Sequence, residues 1–150
     1  MAITTFAQLL AKAREKGPRS VAIASADDPQ ILEAAHTAEQ AGIADCILVG
    51  DRAVIRGTAE EKGLDIGRMM IVDEGNVRAA ARKTMELVRL GHAQVAMKGR
   101  IETGAFLKAA LDRETGLRTG NLLTHVAVIE LPGYNRLLFV SDGGVVVAPT

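Results

Sequence analysis

Residues able to do chemistry gather in one stretch, 95–111, with the sequence VAMKGRIETGAFLKAAL. Val95, Ala96 and Met97 read as a short buried strand. Lys98 and Gly99 follow as a turn, and Phe106, Leu107, Ala110 and Leu111 mark the apolar face of a helix that starts near Thr103. A strand, a glycine turn and a helix start direct backbone N–H groups and a helix dipole at whatever lies beyond the strand end. Gly99 lets the backbone approach a ligand. Thr103 offers a hydroxyl and an N–H, and Lys98 and Lys108 bracket the segment with positive charge. The guest this pattern fits is an anion, most simply phosphate. A capped helix with solvated lysines fits the same residues.

Two nucleotide signatures are absent. Gly99 and Gly104 have the glycine spacing of a Walker loop, but Ala105-Phe106 stands where Lys-Ser or Lys-Thr is required. No GxGxxG follows the first apolar run, so a dinucleotide fingerprint is missing as well. A second basic loop, Gly116-Leu117-Arg118-Thr119-Gly120, presents Arg118 either as a bidentate phosphate clamp or as an exposed loop arginine. Asp142, before Gly143-Gly144, either orients a reacting group or closes a turn.

Of the histidines, His36 falls mid-helix and His92 follows a helix end, where it answers the dipole. His125, at the start of a strand, is the one placed near the site. No ligand-type residues share metal spacing. The single Cys46 builds neither a disulfide framework nor a zinc site and reads as a small buried hydrophobe. Met69, Met70 and Met85 read as core. The charge pairs along 74–90 and 108–114 read as solvated helix faces.

The elements that must position these residues follow from apolar periodicity and punctuation. Ile3, Phe6, Leu9, Leu10 and Ala13 recur at helical spacing over 3–15, with Gly17-Pro18 as the stop. A strand over 21–24 precedes Asp27 or Asp28 as a helix cap, with Pro29 in the first turn. That helix turns Ile31, Leu32, Ala35 and Ala38 inward and ends near Gly42. A second strand over 46–49, a weaker helix over 52–62 ending at Gly63, and a third strand over 68–72 come next. A helix over 76–90 is capped from 73–76 and stopped by Gly91. The strand and helix of the opening stretch complete the series.

Strands with nearly continuous apolar runs, alternating with helices, predict a parallel sheet covered on both faces, with right-handed crossovers. After Gly116 the pattern changes. Two apolar runs, 123–131 and 136–140, flank Pro132-Gly133, the central pair of a type II turn. The fold class expected is therefore α/β: a doubly wound, mostly parallel sheet with helices on both faces, to which an antiparallel hairpin near the C-terminus is added. A further apolar run over 145–147 and a plausible helix start at 148–150 leave that last strand wanting cover, from a continuing chain or a partner subunit.

Composition bounds the function. The 150 residues are enough for one domain with a core. Hydrophobic content of 48% and charged content of 24% are those of an ordinary globular chain. Lys and Arg number 18, matching 18 Asp and Glu; a zero net charge argues against a nucleic-acid-coating protein. Aromatics at 3% with no Trp leave no stacking platform for single strands. MAITTFAQLL lacks a signal-peptide pattern, and no run reaches the about 20 apolar residues that span a bilayer. A cytoplasmic location is the default expectation.

Four stretches carry a family resemblance: VAIASADDPQILEA at 21–34, MKGRIETGAFLKAAL at 97–111, GLRTGNLLTHVAVIELPGYNRLLFVSD at 116–142 and GGVVVAPT at 143–150. In their order and spacing the chain resembles the phosphate acetyl/butyryltransferases, closest to the phosphate butyryltransferase branch. The resemblance implies a two-domain α/β enzyme with its site in the cleft between the domains. It would exchange acyl-CoA plus phosphate for acyl phosphate plus CoA, with CoA as substrate or product and no cofactor or metal.

This chain would be the N-terminal domain, working as a homo-oligomer or with a complementary domain. Gly99, Thr103 and the helix start would hold phosphate. Lys98, Lys108 and Arg118 would neutralise it, His125 would lie nearby, and Asp142 would orient a reacting group. Gly143-Gly144-Val145-Val146 replaces the Ala-Ala-Met-Asn frequent in the family, and the resemblance implies that loss of the Asn side chain weakens a substrate contact. Two other readings stay open: a non-catalytic phosphate- or CoA-binding module that works with another chain, and a dehydrogenase-like α/β enzyme.

Overall fold

A computed structural model describes residues 2–143. In chain order the elements are α1 (Phe6–Glu15), β1 (Arg19–Ala24), α2 (Pro29–Gln40), β2 (Ala44–Gly50), α3 (Arg52–Lys62), β3 (Met70–Asp73), α4 (Val77–Arg89), β4 (Val95–Lys98), α5 (Thr103–Ala110), β5 (Val126–Glu130) and β6 (Leu137–Ser141). They divide into two compact units. Residues 17–118 form one; residues 1–16 with 119–150 form the other.

In the larger unit, the strands form a parallel sheet in the order β3-β2-β1-β4. Period-two alternation sorts the side chains of β1 and β2. Ile23, Cys46 and Leu48 pack with Leu32 and Ala35 of α2 and Ile55 of α3. Ala22, Ile47 and Val49 pack with Ala80 of α4. Helices therefore cover both faces, as the continuous apolar runs require.

The helices start where the sequence provides caps. Asp28 Oδ1 accepts from Gln30 and Ile31 N–H at 2.9 and 3.3 Å, Asp51 caps α3, and Asn76 caps α4 through Ala79 N–H. Gly63 ends α3 in the left-handed conformation, φ 64°, which costs glycine nothing.

The smaller unit holds α1 and the hairpin. β5 and β6 pair antiparallel, Val126 opposite Ser141 and Glu130 opposite Leu137. The turn has the expected chemistry: Tyr134 N–H donates to the Leu131 carbonyl at 3.1 Å, and Gly133 has φ 80°. The hairpin forms a two-stranded sheet of its own rather than extending the parallel one. Turn residues fix how two strands pair with each other, not which sheet they join. Glu130 Oε2 accepts from Phe6 N–H at 2.6 Å, placing a carboxylate at the N-terminus of α1.

Two burial expectations are corrected. No residue of α1 is buried; Phe6 and Leu9 are 45% and 41% exposed. Met70 lies on the edge strand β3 and is 60% exposed, whereas Met69 and Met85 are core. Expectations for 145–150 fall outside the described residues.

Candidate functional site

β1 and β4 adjoin at the point where the sheet order reverses, because the chain runs outward from β1 through β2 to β3 and then returns to lay β4 on the other side of β1. Ligands of open α/β sheets bind beyond the carboxyl ends of strands at such a point. Here the 98–102 turn crosses it.

Gly99 N–H donates to the Ala24 carbonyl at 2.9 Å and Arg100 N–H to the Ser25 carbonyl at 3.0 Å. A Cβ built on Gly99 would lie 2.5 Å from the Ser25 oxygen and closer still to that of Ala24. Glycine is thus demanded by the chain's own backbone. Lys98 Nζ folds back to donate to the Ile101 carbonyl at 2.7 Å, so its ammonium braces the turn.

The turn delivers the start of α5. α1 to α4 each have a side-chain cap, whereas Glu102, at the α5 cap position, makes no such bond. The first N–H groups of α5 are left for another acceptor. Thr103 is exposed at the first helical position.

Beside this helix start, α4 and α5 enclose a groove of about 380 Å³ lined by Arg78, Arg82, Gly104, Ala105, Lys108, Ala109 and Asp112. Apolar packing of Ala81, Met85, Ile101 and Ala109 beneath it holds the two helices together. Three cations and one carboxylate therefore face the same space. The Asp112 oxygen is already committed to Thr115 N–H at 2.8 Å, Glu114 N–H at 2.9 Å and the Thr115 hydroxyl at 3.0 Å. The Thr115 N–H bond, then that from Glu114, holds the Asp112 carboxyl below its ordinary range, and Arg82 adds to the effect. Arg78, Arg82 and Lys108 outnumber the one carboxylate, so the groove is net positive. A groove of this kind suits a phosphate or a chain of phosphates.

The expected residues are distributed over both units. Lys98, Gly99, Thr103, Lys108 and Arg118 belong to the sheet unit. Of these, Lys108 lines the groove, and Arg118 is exposed at the unit's end. His125 and Asp142 belong to the hairpin unit, where Asp142 N–H donates to the His125 carbonyl at 2.7 Å. Asp142 has φ 61°, and its Oδ1 is buried without a hydrogen-bond partner.

Sequence reasoning missed Arg78 and Arg82. Their four-residue spacing puts them on one helix face, a signal it assigned to solvent; only the partner helix shows that this face lines a groove. Arg100 also went unremarked. Cys46 is buried, and loss of hydration, with Glu39 and Asp45 adding, pushes its thiol up to about 11. Among the described residues no group of His, Cys, Asp and Glu could hold a metal, and no helix is long and apolar enough to cross a membrane.

Comparison with known proteins points one way. Residues 5–82 match the family described as Phosphate acetyl/butaryl transferase. The chain is 44% identical over 140 residues to a phosphate butyryltransferase of Clostridium acetobutylicum, covering 93% of this chain and 46% of that protein. A branched-chain phosphotransacylase from Enterococcus faecalis V583 superposes with a TM-score of 0.67 at 26% identity, over 88% of this chain and 45% of that one. A phosphotransacetylase from Streptococcus pyogenes shares the fold, with a TM-score of 0.75 at 15% identity over 98% of this chain and 54% of that one. The chain thus spans about half the length of the curated relatives it matches.

Proposed function

The chain belongs to the phosphate acetyl/butyryl transferase family, and from that premise we propose that it forms the N-terminal part of an enzyme exchanging acyl-CoA and phosphate for acyl phosphate and CoA. The observation that carries the reading is the α4–α5 groove, where Arg78, Arg82 and Lys108 meet the uncapped first turn of α5.

In this reaction an oxygen of hydrogen phosphate attacks the thioester carbonyl carbon. The new C–O bond forms, the C–S bond breaks with its electron pair going to sulfur, and the thiolate takes the proton the phosphate gives up. Both reactants are anions, so the main barrier to their meeting is charge and orientation. The groove cations offset the charge of CoA's phosphates. The Gly99–Thr103 turn and the α5 N–H groups receive the attacking phosphate, with Lys98 bracing that turn. Arg118 adds charge at the unit's edge. In the hairpin unit, Asp142 is assigned to orient a reacting group and His125 to contact substrate. The transfer changes no oxidation state, so it calls for no redox cofactor, and CoA enters as a substrate. A cytoplasmic location, and assembly with a complementary domain or further copies, complete the proposal.

Calorimetric titration with CoA, combined with a thiol-release assay on acetyl- and butyryl-CoA with and without phosphate, tests it. The Arg82→Ala/Lys108→Ala double variant should weaken CoA binding by about tenfold or more, the equivalent of losing one charge-assisted contact. Wild-type protein that binds no CoA, or a folded double variant with unchanged affinity, refutes the groove as the CoA site. Phosphate-dependent thiol release assigns the activity to this chain itself. Binding without release assigns it the part of a module that works with another chain.

A further inference from the structure

One residue beside the 98–102 turn carries two anomalies. Ser25, just past β1, stands at φ 53°, a conformation that L side chains rarely adopt. It is also only 3% exposed, and its hydroxyl has no hydrogen-bond partner. A strained backbone and an unpaired buried polar group persist where a fold holds a geometry needed for function. What Ser25 holds is visible in its bonds. Its carbonyl anchors Arg100 N–H, the Ala24 carbonyl before it anchors Gly99 N–H, and Ala26 N–H after it is tied to the Val49 carbonyl of β2 at 3.1 Å. Ser25 is the pivot from which β1 grips β2 on one side and the turn after β4 on the other.

The charges around this pivot are sorted by their partners. The Lys98 ammonium is engaged with the Ile101 carbonyl. Asp28 uses Oδ1 to cap α2. The Arg100 side chain is 79% exposed, and its Nη1 comes no nearer than 3.9 Å to Asp28 Oδ2. An exposed pair that long constrains little, so the guanidinium fork is open. Asp27 and Asp28 would otherwise make the end of β1 hostile to an anion.

We infer that Arg100 is the residue that binds the substrate's phosphate group, and that Ser25 is the positioning residue that aims it. The inference rests on the acyltransferase reading and deepens it. The attacking phosphate goes to Arg100, whose planar fork matches two phosphate oxygens, while the phosphates of CoA go to the α4–α5 groove. The cation of the turn that meets substrate is Arg100, and Lys98 is its brace.

The test titrates the full chain separately with inorganic phosphate and with CoA. Arg100→Ala should weaken phosphate binding by about tenfold or more and leave CoA binding within about twofold, with Arg100→Lys recovering part of the loss because it restores charge without the fork. Ser25→Gly, which keeps the carbonyl but frees the φ 53° backbone that aims Arg100 N–H, should weaken phosphate severalfold and leave CoA binding within about twofold.

Unchanged phosphate affinity in Arg100→Ala overturns the assignment, as does an equal loss for CoA. A Ser25→Gly protein with wild-type phosphate affinity overturns the positioning role. Wild-type protein that binds CoA but not phosphate overturns this inference and spares the groove reading; binding of neither overturns both.

Discussion

Replacing Gly99 by alanine tests whether the turn after β4 is set by backbone packing. The added methyl would lie 2.5 Å from the Ser25 carbonyl oxygen and nearer that of Ala24. Neither is the end of a flexible side chain. Ala24 ends β1, an inner strand of the sheet, Ser25 follows it directly, and both already accept bonds from the turn. The turn must therefore move. Overpacking costs about 1–3 kcal/mol, and loosening the Gly99–Ala24 and Arg100–Ser25 hydrogen bonds adds about 1 kcal/mol each.

A total of roughly 3–5 kcal/mol is a large share of the stability of a small protein. It should lower Tm on the order of 10 °C. Gly104 is the matched control: it lies within α5 with nothing inside 4 Å of a built Cβ. Gly104→Ala should raise stability by about 0.4–1 kcal/mol through the unfolded state. Urea and thermal denaturation followed by circular dichroism read both. A Gly99→Ala protein as stable as wild type, or a Gly104→Ala protein as damaged as Gly99→Ala, refutes the packing argument.

Two more outcomes follow from single contacts. The Cys46 thiol is raised from 9.0 to about 11 by burial; in the folded protein it should resist iodoacetamide at about pH 8, and denaturant should expose it. The neutral thiol favours the folded state, so its contribution is fully present below pH 9.0 and is lost as pH rises through about 11, which a denaturation series at alkaline pH reads. Glu130→Gln removes the negative charge that receives Phe6 N–H; it should cost about 0.3–1 kcal/mol at low ionic strength and less in salt, measured by thermal denaturation.

What could be read in the sequence is what depends on near neighbours. Asp28, Asp51 and Asn76 each cap a helix through residues two or three positions away. Gly63 and Pro132-Gly133 set local dihedrals, and the alternation of apolar runs fixes a parallel sheet covered on both faces. What escaped depends on distant partners. Arg78 and Arg82 look like a solvated face until α5 is laid beside them. Lys98 looks free until the turn brings the Ile101 carbonyl to its ammonium. Leu9 and Leu10 have the spacing of a core-facing helix stripe, yet periodicity says only that a face is apolar, not that anything lies against it. The same holds for the hairpin, whose turn was legible and whose separation from the parallel sheet was not.

The bond between Phe6 and Glu130 spans 124 residues of chain, and it bears on the order of assembly. Residues 17–118 are contiguous and contain the whole parallel sheet with four of the helices. That segment can close its contacts as soon as it leaves the ribosome. α1 emerges before that segment, but ten residues with no buried side chain make a marginal helix alone. Its carboxylate partner arrives only after the sheet's segment has been synthesised. α1 is made before the sheet's segment yet settles after it, because its partner carboxylate lies on the far side of that segment.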